Sequence, residues 1–398
     1  MNIGISTMLS NRVKSSLQKV STGLVLIRYA STSYNSLLHN SVESVNQTLE
    51  KSDRSSYILA QYIPEPARNT FLAIRAFNLE ISKINEGGKN VQSRASMASK
   101  QMTQTLGVST ADLKFKFWSD LLLRVFTDDP NSSQGLGEPI AILLRDGLRN
   151  NLNIDLSYLQ KFLQTKRSFI KSNASFGTTN EICSYGEGTY SQLNYLTQQV
   201  LLSPPISPSS TQLLQYSPAL QSTITDIAAH IGQATAIAAM ITGLRYYAST
   251  RNQVPLPIDL MNNHDLSQES VLRLFQGHIS DTKDEQGLKN KLNSVIYETA
   301  VVANDHMLTA NKKLNDFKKE VVKVIDMHSD DQKFQVYAKK WRGKVPDVIF
   351  TPLMVGIPTS LYLRKLEKHD FDILNTNLQQ PEWRLAWTSF KDYYLRKI

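Results

Sequence analysis

Pairs of acidic residues are the groups in this chain best suited to metal binding, because two carboxylates on one helix face can hold a divalent cation. Asp326 and Asp330 have the four-residue spacing that this requires. They lie at the polar end of a long apolar-periodic segment and no second pair accompanies them, so we interpret them as a solvated helix end. Two other acidic pairs are closer in sequence. Asp128/Asp129 fit a turn, and Asp370/Asp372 fit a helix-terminus cap.

Sulfur and imidazole chemistry has little support in the sequence. The single cysteine, Cys183, excludes an intramolecular disulfide and a cysteine-rich zinc or iron–sulfur site. No neighbour in sequence would activate its thiol, which we interpret as half-buried on a helix. The seven histidines show no HExxH motif or other paired spacing. We therefore expect no metal site.

The first 42 residues are basic and contain no Asp or Glu. This composition, rich in Ser, Thr and Leu, is typical of a mitochondrial transit peptide, and the negative matrix potential draws such a segment inward. We predict that residues 1–42 are a transit peptide with a disordered lead, cleaved after Tyr29 or Ala30; a basic N-terminus without targeting function is the alternative. The basic residues are Arg12, Lys14, Lys19 and Arg28.

Residues 43–398 are predicted to form one helical domain. The chain has 398 residues and is 41 % hydrophobic, which is enough for a sizeable core. Without the four N-terminal charges the formal net charge of +9 falls to 9 − 4 = +5, so the charge does not indicate nucleic acid. Most segments repeat apolar residues with the 3.6-residue period and few alternate, which predicts an all-α fold.

Local patterns predict where several helices lie. Val45–Tyr62 is expected to be the first helix, with Thr70–Asn85 next, and Gln286–His328 suggests long antiparallel helices. Ile224–Leu244 is apolar enough to suggest a membrane span, but its polar and small residues favour a core helix. Glu382–Ile398 mixes aromatic and basic residues, which suits a bilayer interface or a docked helix; we favour packing in the core or a groove.

Five segments resemble the squalene/phytoene synthase family. They correspond to the family opening, its first catalytic helix, the basic and aromatic helix that follows, the cavity-lining helix and the second catalytic segment. In that order they are Ser55–Ile84, Arg75–Glu86 (RAFNLEISKINE), Lys114–Leu122, Cys183–Leu196 and His230–Leu260. The resemblance implies an isoprenoid-synthase-like helical bundle around a central cavity, with Arg75–Glu86 and Ile231–Tyr247 facing each other.

The family's metal-binding aspartates have no counterparts at the matching positions. The family places two Asp four residues apart in each catalytic segment, where they hold Mg²⁺ against a substrate diphosphate. The matching positions here are Ser82 and Glu86 in the first segment, and Tyr246 and Thr250 in the second. Because ionisation of a diphosphate depends on that electrostatic help, the resemblance implies a pseudoenzyme without a cofactor.

Three segments are more similar to the mitochondrial branch of this superfamily, the complex I assembly factor 6 branch. They are RAFNLE, the PLPIDL stretch at Pro255–Leu260 and Phe350–Pro381. The resemblance implies a non-catalytic assembly factor in the mitochondrial matrix, peripheral to the inner membrane. Its expected partners are complex I subunits or other assembly factors. The protein is expected to act by binding a subunit or a lipid.

Five polar residues of the two catalytic segments are candidates for a binding site at the cavity mouth: Arg75, Asn78, Glu80, Arg245 and Arg251. Ordinary salt bridges on helix surfaces are the alternative interpretation for each. Two other functions stay open. An active prenyl transferase could use Glu80 and Glu86, and an isoprenoid or quinone carrier would need an apolar tunnel.

Overall fold

The computed structural model describes residues 34–84, 109–129, 136–278 and 282–398. Across these ranges the regular structure is helical, and pairing between extended segments is limited to an isolated bridge between Phe176 and Pro257. The predicted all-α fold is therefore confirmed. The predicted cleavage site near Tyr29 lies outside the described residues.

Seventeen α-helices make up most of the described chain, and we number them α1 to α17. They are α1 (34–52), α2 (Arg54–Leu59), α3 (Ala67–Ser82), α4 (Thr110–Thr127), α5 (Pro139–Arg149), α6 (Leu156–Lys171), α7 (Thr179–Gly186), α8 (Gln192–Leu201), α9 (Pro208–Tyr216), α10 (Pro218–Tyr246), α11 (Ile258–Asn263), α12 (Gln268–Gln276), α13 (Thr282–Met327), α14 (Gln332–Ala338), α15 (Asp347–Phe350), α16 (Gly356–Lys368) and α17 (Leu385–Leu395). Two π-helical turns continue α7 and α10, at Glu187–Ser191 and Tyr247–Arg251.

Short polar side chains and prolines set where many of these helices begin. Asp53 and Thr178 accept hydrogen bonds from backbone N–H groups in the first turns of α2 and α7. Such caps satisfy donors that have no partner inside the helix. Pro139, Pro208 and Pro218 each begin a helix, where the missing N–H costs nothing.

The long helices α10 and α13 form the centre of the bundle and run antiparallel. Asp226 pairs with Lys313 at 2.8 Å, and one turn further along α10 His230 lies against His306, seven residues earlier on α13. The segment Pro218–Arg251 is long and apolar enough to cross a membrane, and 61 % of its most apolar window is buried in the protein. Its packing against α7, α13 and α16 agrees with the predicted core helix.

Two expectations about individual segments need correction. Residues 34–42, which we assigned to the presequence and its disordered lead, are helical, so the first helix begins at least eleven residues before Val45. Gln286–His328 does not form two antiparallel helices; it lies in the single helix α13 and the turn after it, and its antiparallel partner is α10. An uninterrupted apolar period predicts the helix but not its packing partner.

The C-terminal helix α17 is attached through one face and exposed on the other. Arg396, just beyond its end, is fully buried, forms an ion pair with Asp347 and donates to the carbonyl oxygen of Tyr393 at 2.9 Å. The opposite face carries an aromatic ridge, which we define as Trp383, Trp387, Phe390 and Tyr394. These side chains are 83, 67, 47 and 49 % exposed, so the expectation that this segment packs in the core is wrong for its aromatic face.

Candidate functional site

The end of α3 meets a buried lysine of α6. Lys166 Nζ donates to Ser82 Oγ at 3.2 Å. Lys166 is only 7 % exposed, whereas Ser82 is exposed. The position at which the family resemblance led us to expect a metal-binding carboxylate therefore carries a hydroxyl that accepts a hydrogen bond from an ammonium group.

Three aromatic rings lie near the Lys166 ammonium. Its Nζ lies 5.4 Å from the ring centres of Phe162 and Tyr185 and 5.6 Å from that of Tyr190. Cation–π attraction operates at these distances, but it does not replace the hydration that the ammonium has lost. Burial and, to a smaller degree, the charge of Arg251 lower the pKa of Lys166 to about 7.

The π-helical turn after α10 supplies a second cation. The Arg251 guanidinium carbon lies 5.0 Å from the ring centre of Tyr246 and 5.3 Å from that of Tyr247. Its Nε is buried and has no hydrogen-bond partner in the described part of the chain. A π-helical turn widens the helix by one residue, a feature often found at functional sites. Here it places Arg251 close enough to influence the charge of Lys166.

Tyr190 connects this pair of cations with α3. Burial raises the pKa of Tyr190, with Tyr247 acting in the same direction and Arg75 opposing it. Arg75 donates to Ser56 Oγ at 2.7 Å and lies 3.7 Å from Asp53. Tyr190 and Lys166 therefore stand between the ends of α3 and α10, which agrees with the prediction that the two catalytic segments face a common interior.

The four degenerate motif positions are not equivalent in the structure. Ser82 faces Lys166, whereas Glu86 lies outside the described residues. Tyr246 is 48 % exposed and Thr250 is also exposed. The residues of this turn that approach Lys166 and Tyr190 are Tyr247 and Arg251.

The five predicted binding residues separate into three groups. Arg75, Asn78 and Arg251 are directed inward; Asn78 is 7 % exposed and its Oδ1 has no partner in the described chain. Glu80 forms an ion pair with Lys83 and lines a different, surface cleft with Lys114 and Glu138. Arg245 is exposed. The structure does not bring these five residues together into one site.

Sequence reasoning missed Lys166, which is the central residue of the site. The pattern did contain a signal, because Lys166 occupies an apolar position of α6 between the buried residues Phe162 and Phe169, at helical spacings of four and three. Lysine is rarely fully buried unless it is paired. A lysine on the apolar stripe of a helix is therefore a signal for a functional residue.

A second polar cluster joins α7, α10 and α13. Cys183 Sγ lies 3.4 Å from His306 Nε2, and His306 Nδ1 lies 2.9 Å from His230 Nδ1. Burial lowers the pKa of both imidazoles and raises that of the thiol. One neutral ring can donate to the other, but two protonated rings cannot hydrogen bond through these atoms. Among the described residues no group of three His, Cys, Asp or Glu side chains could hold a metal ion.

The interior site is therefore suited to an anion rather than to Mg²⁺. A divalent cation needs several oxygen ligands, of which carboxylates are the strongest. The described residues instead present the cations of Lys166 and Arg251 and one hydroxyl. The donor set does not fit the metal cluster that the resemblance would imply, and we derive no metal-dependent step from it.

Comparison with known proteins identifies the family to which the chain belongs. The family model described as squalene/phytoene synthase matches residues 49–391. Relatives described as NADH dehydrogenase (ubiquinone) complex I, assembly factor 6, from Rattus norvegicus and Homo sapiens are each 24 % identical over 334 residues, which cover 84 % of this chain and 76 % of theirs. A homolog from Dictyostelium discoideum is 22 % identical over 355 residues, covering 89 % of this chain and 78 % of its own.

Two solved structures share the fold. A dehydrosqualene synthase in complex with ligand has a TM-score of 0.51 and 11 % identity, covering 90 % of this chain and 98 % of its own. YisP from Bacillus subtilis has a TM-score of 0.50 and 8 % identity with the same coverage. At such identities the likeness concerns the fold alone.

Proposed function

We propose that this chain, which belongs to the squalene/phytoene synthase family, is a non-catalytic assembly factor for mitochondrial respiratory complex I. Relatives that align with more than four-fifths of the chain carry the name complex I, assembly factor 6. Their name implies a mitochondrial location and an association with complex I. On this proposal the protein acts by binding, at the matrix face of the inner membrane, a subunit, another assembly factor or a lipid.

The contact between Lys166 and Ser82 carries the non-catalytic part of the proposal. In the family's chemistry the first catalytic helix presents carboxylates, so that Mg²⁺ can neutralise a leaving diphosphate. Here a protein ammonium hydrogen bonds to that helix at Ser82, and Arg251 adds a second positive charge nearby. Mg²⁺ placed beside these groups would meet repulsion and a neutral hydroxyl in place of a carboxylate ligand.

The aromatic ridge of α17 supports a peripheral membrane location. Its Trp, Phe and Tyr side chains are exposed, and the exposed Lys391 and Lys397 lie on or just beyond the same helix. Burial raises the pKa of Asp392, and the charges of Lys391, Arg364 and Lys397 oppose that rise. Aromatic rings beside basic groups fit the interface of an anionic bilayer, where rings enter the headgroup region and cations meet phosphates.

Vesicle binding tests the membrane part. The Trp383→Ser/Trp387→Ser variant should bind vesicles of phosphatidylcholine with 30 mol% cardiolipin about tenfold more weakly than the unchanged protein. The matched control is a Tyr337→Ser variant, which removes a half-exposed aromatic ring that does not belong to the ridge. Equal binding by the ridge variant and the control would show that the ridge is not the membrane surface.

Gene deletion and enzyme assay test the assembly part. Deleting the gene in a host that possesses complex I should reduce assembled complex I, and re-expression of the unchanged chain should restore it. Purified protein given farnesyl or geranylgeranyl diphosphate and Mg²⁺ should release no pyrophosphate above a heat-inactivated control. Normal complex I in the deletion strain, together with steady pyrophosphate release, would favour the prenyl transferase alternative.

A further inference from the structure

A groove on the surface runs along the first half of α10. Its first part is a cleft of about 740 Å³ that is lined by the beginnings of α6 and α10 and by α8 and α9. Its second part is a cleft of about 530 Å³ that extends to Thr165 of α6 and Gln233 of α10, and Gln192 lines both parts. We call the two clefts together the amide groove, which follows α10 from Pro218 to Gln233. Each part has the size of a typical ligand site.

The amide groove is long enough for a linear ligand. Pro218 and Gln233 are fifteen residues apart on α10, which at 1.5 Å per residue corresponds to about 22 Å. An extended polypeptide rises about 3.3 Å per residue, so about seven residues would fit along the groove. The first part ends at Thr225, about 30 Å along α10 from the motif position Tyr246. It is therefore remote from the interior around Lys166.

Among the described residues, the amide groove carries no net charge. Those that line its first part include no acidic or basic side chain. In the second part Lys161 and Glu187 have opposite signs. The Glu187 carboxylate accepts hydrogen bonds from the hydroxyl of Tyr195 at 2.7 Å and from Nε2 of Gln233 at 3.2 Å. A nucleic acid or an anionic headgroup would need several cations, so the groove is suited to an uncharged ligand.

Side-chain amides give the groove its hydrogen-bonding character. The amide residues that line its first part are Asn153, Gln192, Gln198, Gln199, Gln215 and Gln221. Each amide offers both donors and an acceptor, which is the combination that backbone peptide groups need. Gln199 Oε1 is buried without a hydrogen-bond partner in the described part of the chain. A buried acceptor of this kind nearly always has a donor, and a peptide N–H would supply one.

Apolar side chains and two tyrosine rings lie between the amides. Leu202, Leu214 and Ile224 line the first part of the groove. Tyr158 and Tyr195 line it too, and their ring centres are 6.1 Å apart. Successive side chains of an extended peptide point to opposite faces, so every second side chain would meet this apolar surface. A hydrophilic solute such as a sugar would bury it with less gain.

We infer that the amide groove binds an uncharged segment of a partner polypeptide in an extended conformation. The side-chain amides pair with the backbone of that segment, and the apolar and tyrosine residues contact its alternate side chains. The inference rests on the proposed function, because it names the class of partner that the assembly factor holds. It assigns this partner to a surface distinct from the aromatic ridge of α17.

Selection from a phage-displayed library of random dodecapeptides on the purified full chain tests the class of ligand without assuming a partner. The selected sequences should share a run of about seven positions without Asp, Glu, Lys or Arg, with apolar residues at alternate positions. A selected peptide labelled with fluorescein then gives a dissociation constant by fluorescence anisotropy. Maltoheptaose, a linear uncharged carbohydrate, is the competing probe and should not displace the peptide.

Two groove variants and two matched controls locate the binding. Thr225 is exposed and lines the groove, so Thr225→Trp should obstruct it and weaken binding by about tenfold or more. Gln199→Leu removes the buried amide and should weaken binding by about fivefold. The controls are Ala219→Trp on α10 and Gln160→Leu on α6, exposed residues that do not line the groove. Both controls should bind like the unchanged protein.

The level of complex I in the deletion strain separates this inference from the proposed function. Where the gene is needed for complex I, Ala219→Trp should restore the complex and Thr225→Trp should not. Restoration by both variants would overturn the inference and leave the proposed function standing. Normal complex I in the deletion strain would refute the proposed function, whereas peptide binding by the purified chain would still be decided by anisotropy.

Four results with the purified chain would also overturn the inference. They are selected peptides without a shared uncharged run, unchanged affinity in Thr225→Trp or Gln199→Leu, displacement of the peptide by maltoheptaose, and a dimer in sedimentation velocity that dissociates in Thr225→Trp. The last result would mean that the groove holds a second copy of this chain.

Discussion

Replacing Lys166 by Met should stabilise the protein in a way that depends on pH. In the folded chain the pKa of Lys166 is lowered from 10.5 to about 7, so the folded state binds fewer protons than the unfolded state between these values. The free energy of unfolding of the wild type therefore rises with pH through this window, and the cost of the buried ammonium is greatest below pH 7. Met has a similar length and no charge, so Lys166→Met avoids this cost at every pH.

The magnitude follows from the same pKa values. Each tenfold change in proton affinity corresponds to about 1.4 kcal/mol, so the stability advantage of Lys166→Met should shrink by about 3 kcal/mol between pH 7 and pH 9.5. Urea unfolding, followed by circular dichroism in phosphate-free and sulfate-free buffers, measures this difference. Comparing each variant with the wild type at the same pH removes the contribution of all other titrating groups.

Lys161→Met is the matched control, and its stability difference from the wild type should stay constant over this pH range. If Lys166→Met is less stable than the wild type at pH 7, or if its advantage does not change with pH, the reasoning about an uncompensated buried ammonium is refuted.

Three further outcomes follow from the structure and the sequence. Arg396→Met should lower the free energy of unfolding by about 2 kcal/mol, since it removes the hydrogen bond to the carbonyl oxygen of Tyr393 and the ion pair with Asp347, and hydrogen exchange should accelerate in α17; unchanged exchange would contradict this role. Because burial lowers the pKa values of His230 and His306, stability should fall as the pH drops below about 6.5; His306→Gln should reduce that pH dependence, measured as melting temperature from pH 7.5 to 5.5. N-terminal sequencing of the protein from mitochondria should find the mature chain beginning near Ala30 or Ser31, and an intact Met1 would refute it.

The helical period and the motif spacing predicted much of the architecture. The apolar repeats identified an all-α chain, and the apolar character of Ile224–Leu244 indicated the core helix that the structure places in α10. These features depend on the side chains of one helix, which a sequence displays directly. The partner of α13 could not be obtained in this way, because antiparallel packing on α10 depends on two segments about eighty residues apart.

The candidate site was predicted in part. Ser82 was selected from motif spacing, and the structure places it at the entrance to the interior. Tyr246 and Thr250 were selected by the same spacing, yet the residues of the π-helical turn that act on the interior are Arg251, on Lys166, and Tyr247, on Tyr190. A change from α to π geometry rotates the side chains that follow and leaves no clear mark in an apolar period. Lys166 lies on a different helix, α6, outside both motifs, so motif spacing could not identify it.

The sequence could not predict that the aromatic ridge is exposed. Aromatic residues at helical spacing fit a buried stripe as well as an interfacial one. The deciding feature is Arg396, whose burial fixes which face of α17 packs against the protein. With that face of α17 packed against the protein, Trp383 and Trp387 face outward.

The level of assembled complex I in a deletion strain that expresses a Glu80→Ala/Glu86→Ala variant tests the central claim most directly. Native gel electrophoresis with in-gel NADH dehydrogenase staining measures that level against the deletion strain and against a strain expressing the unchanged chain. Both acids of the first catalytic segment are removed, so a protein that acts by binding should restore complex I to the level of the unchanged chain. A level no higher than in the deletion strain, from a variant that is folded and equally abundant, would contradict a non-catalytic assembly role.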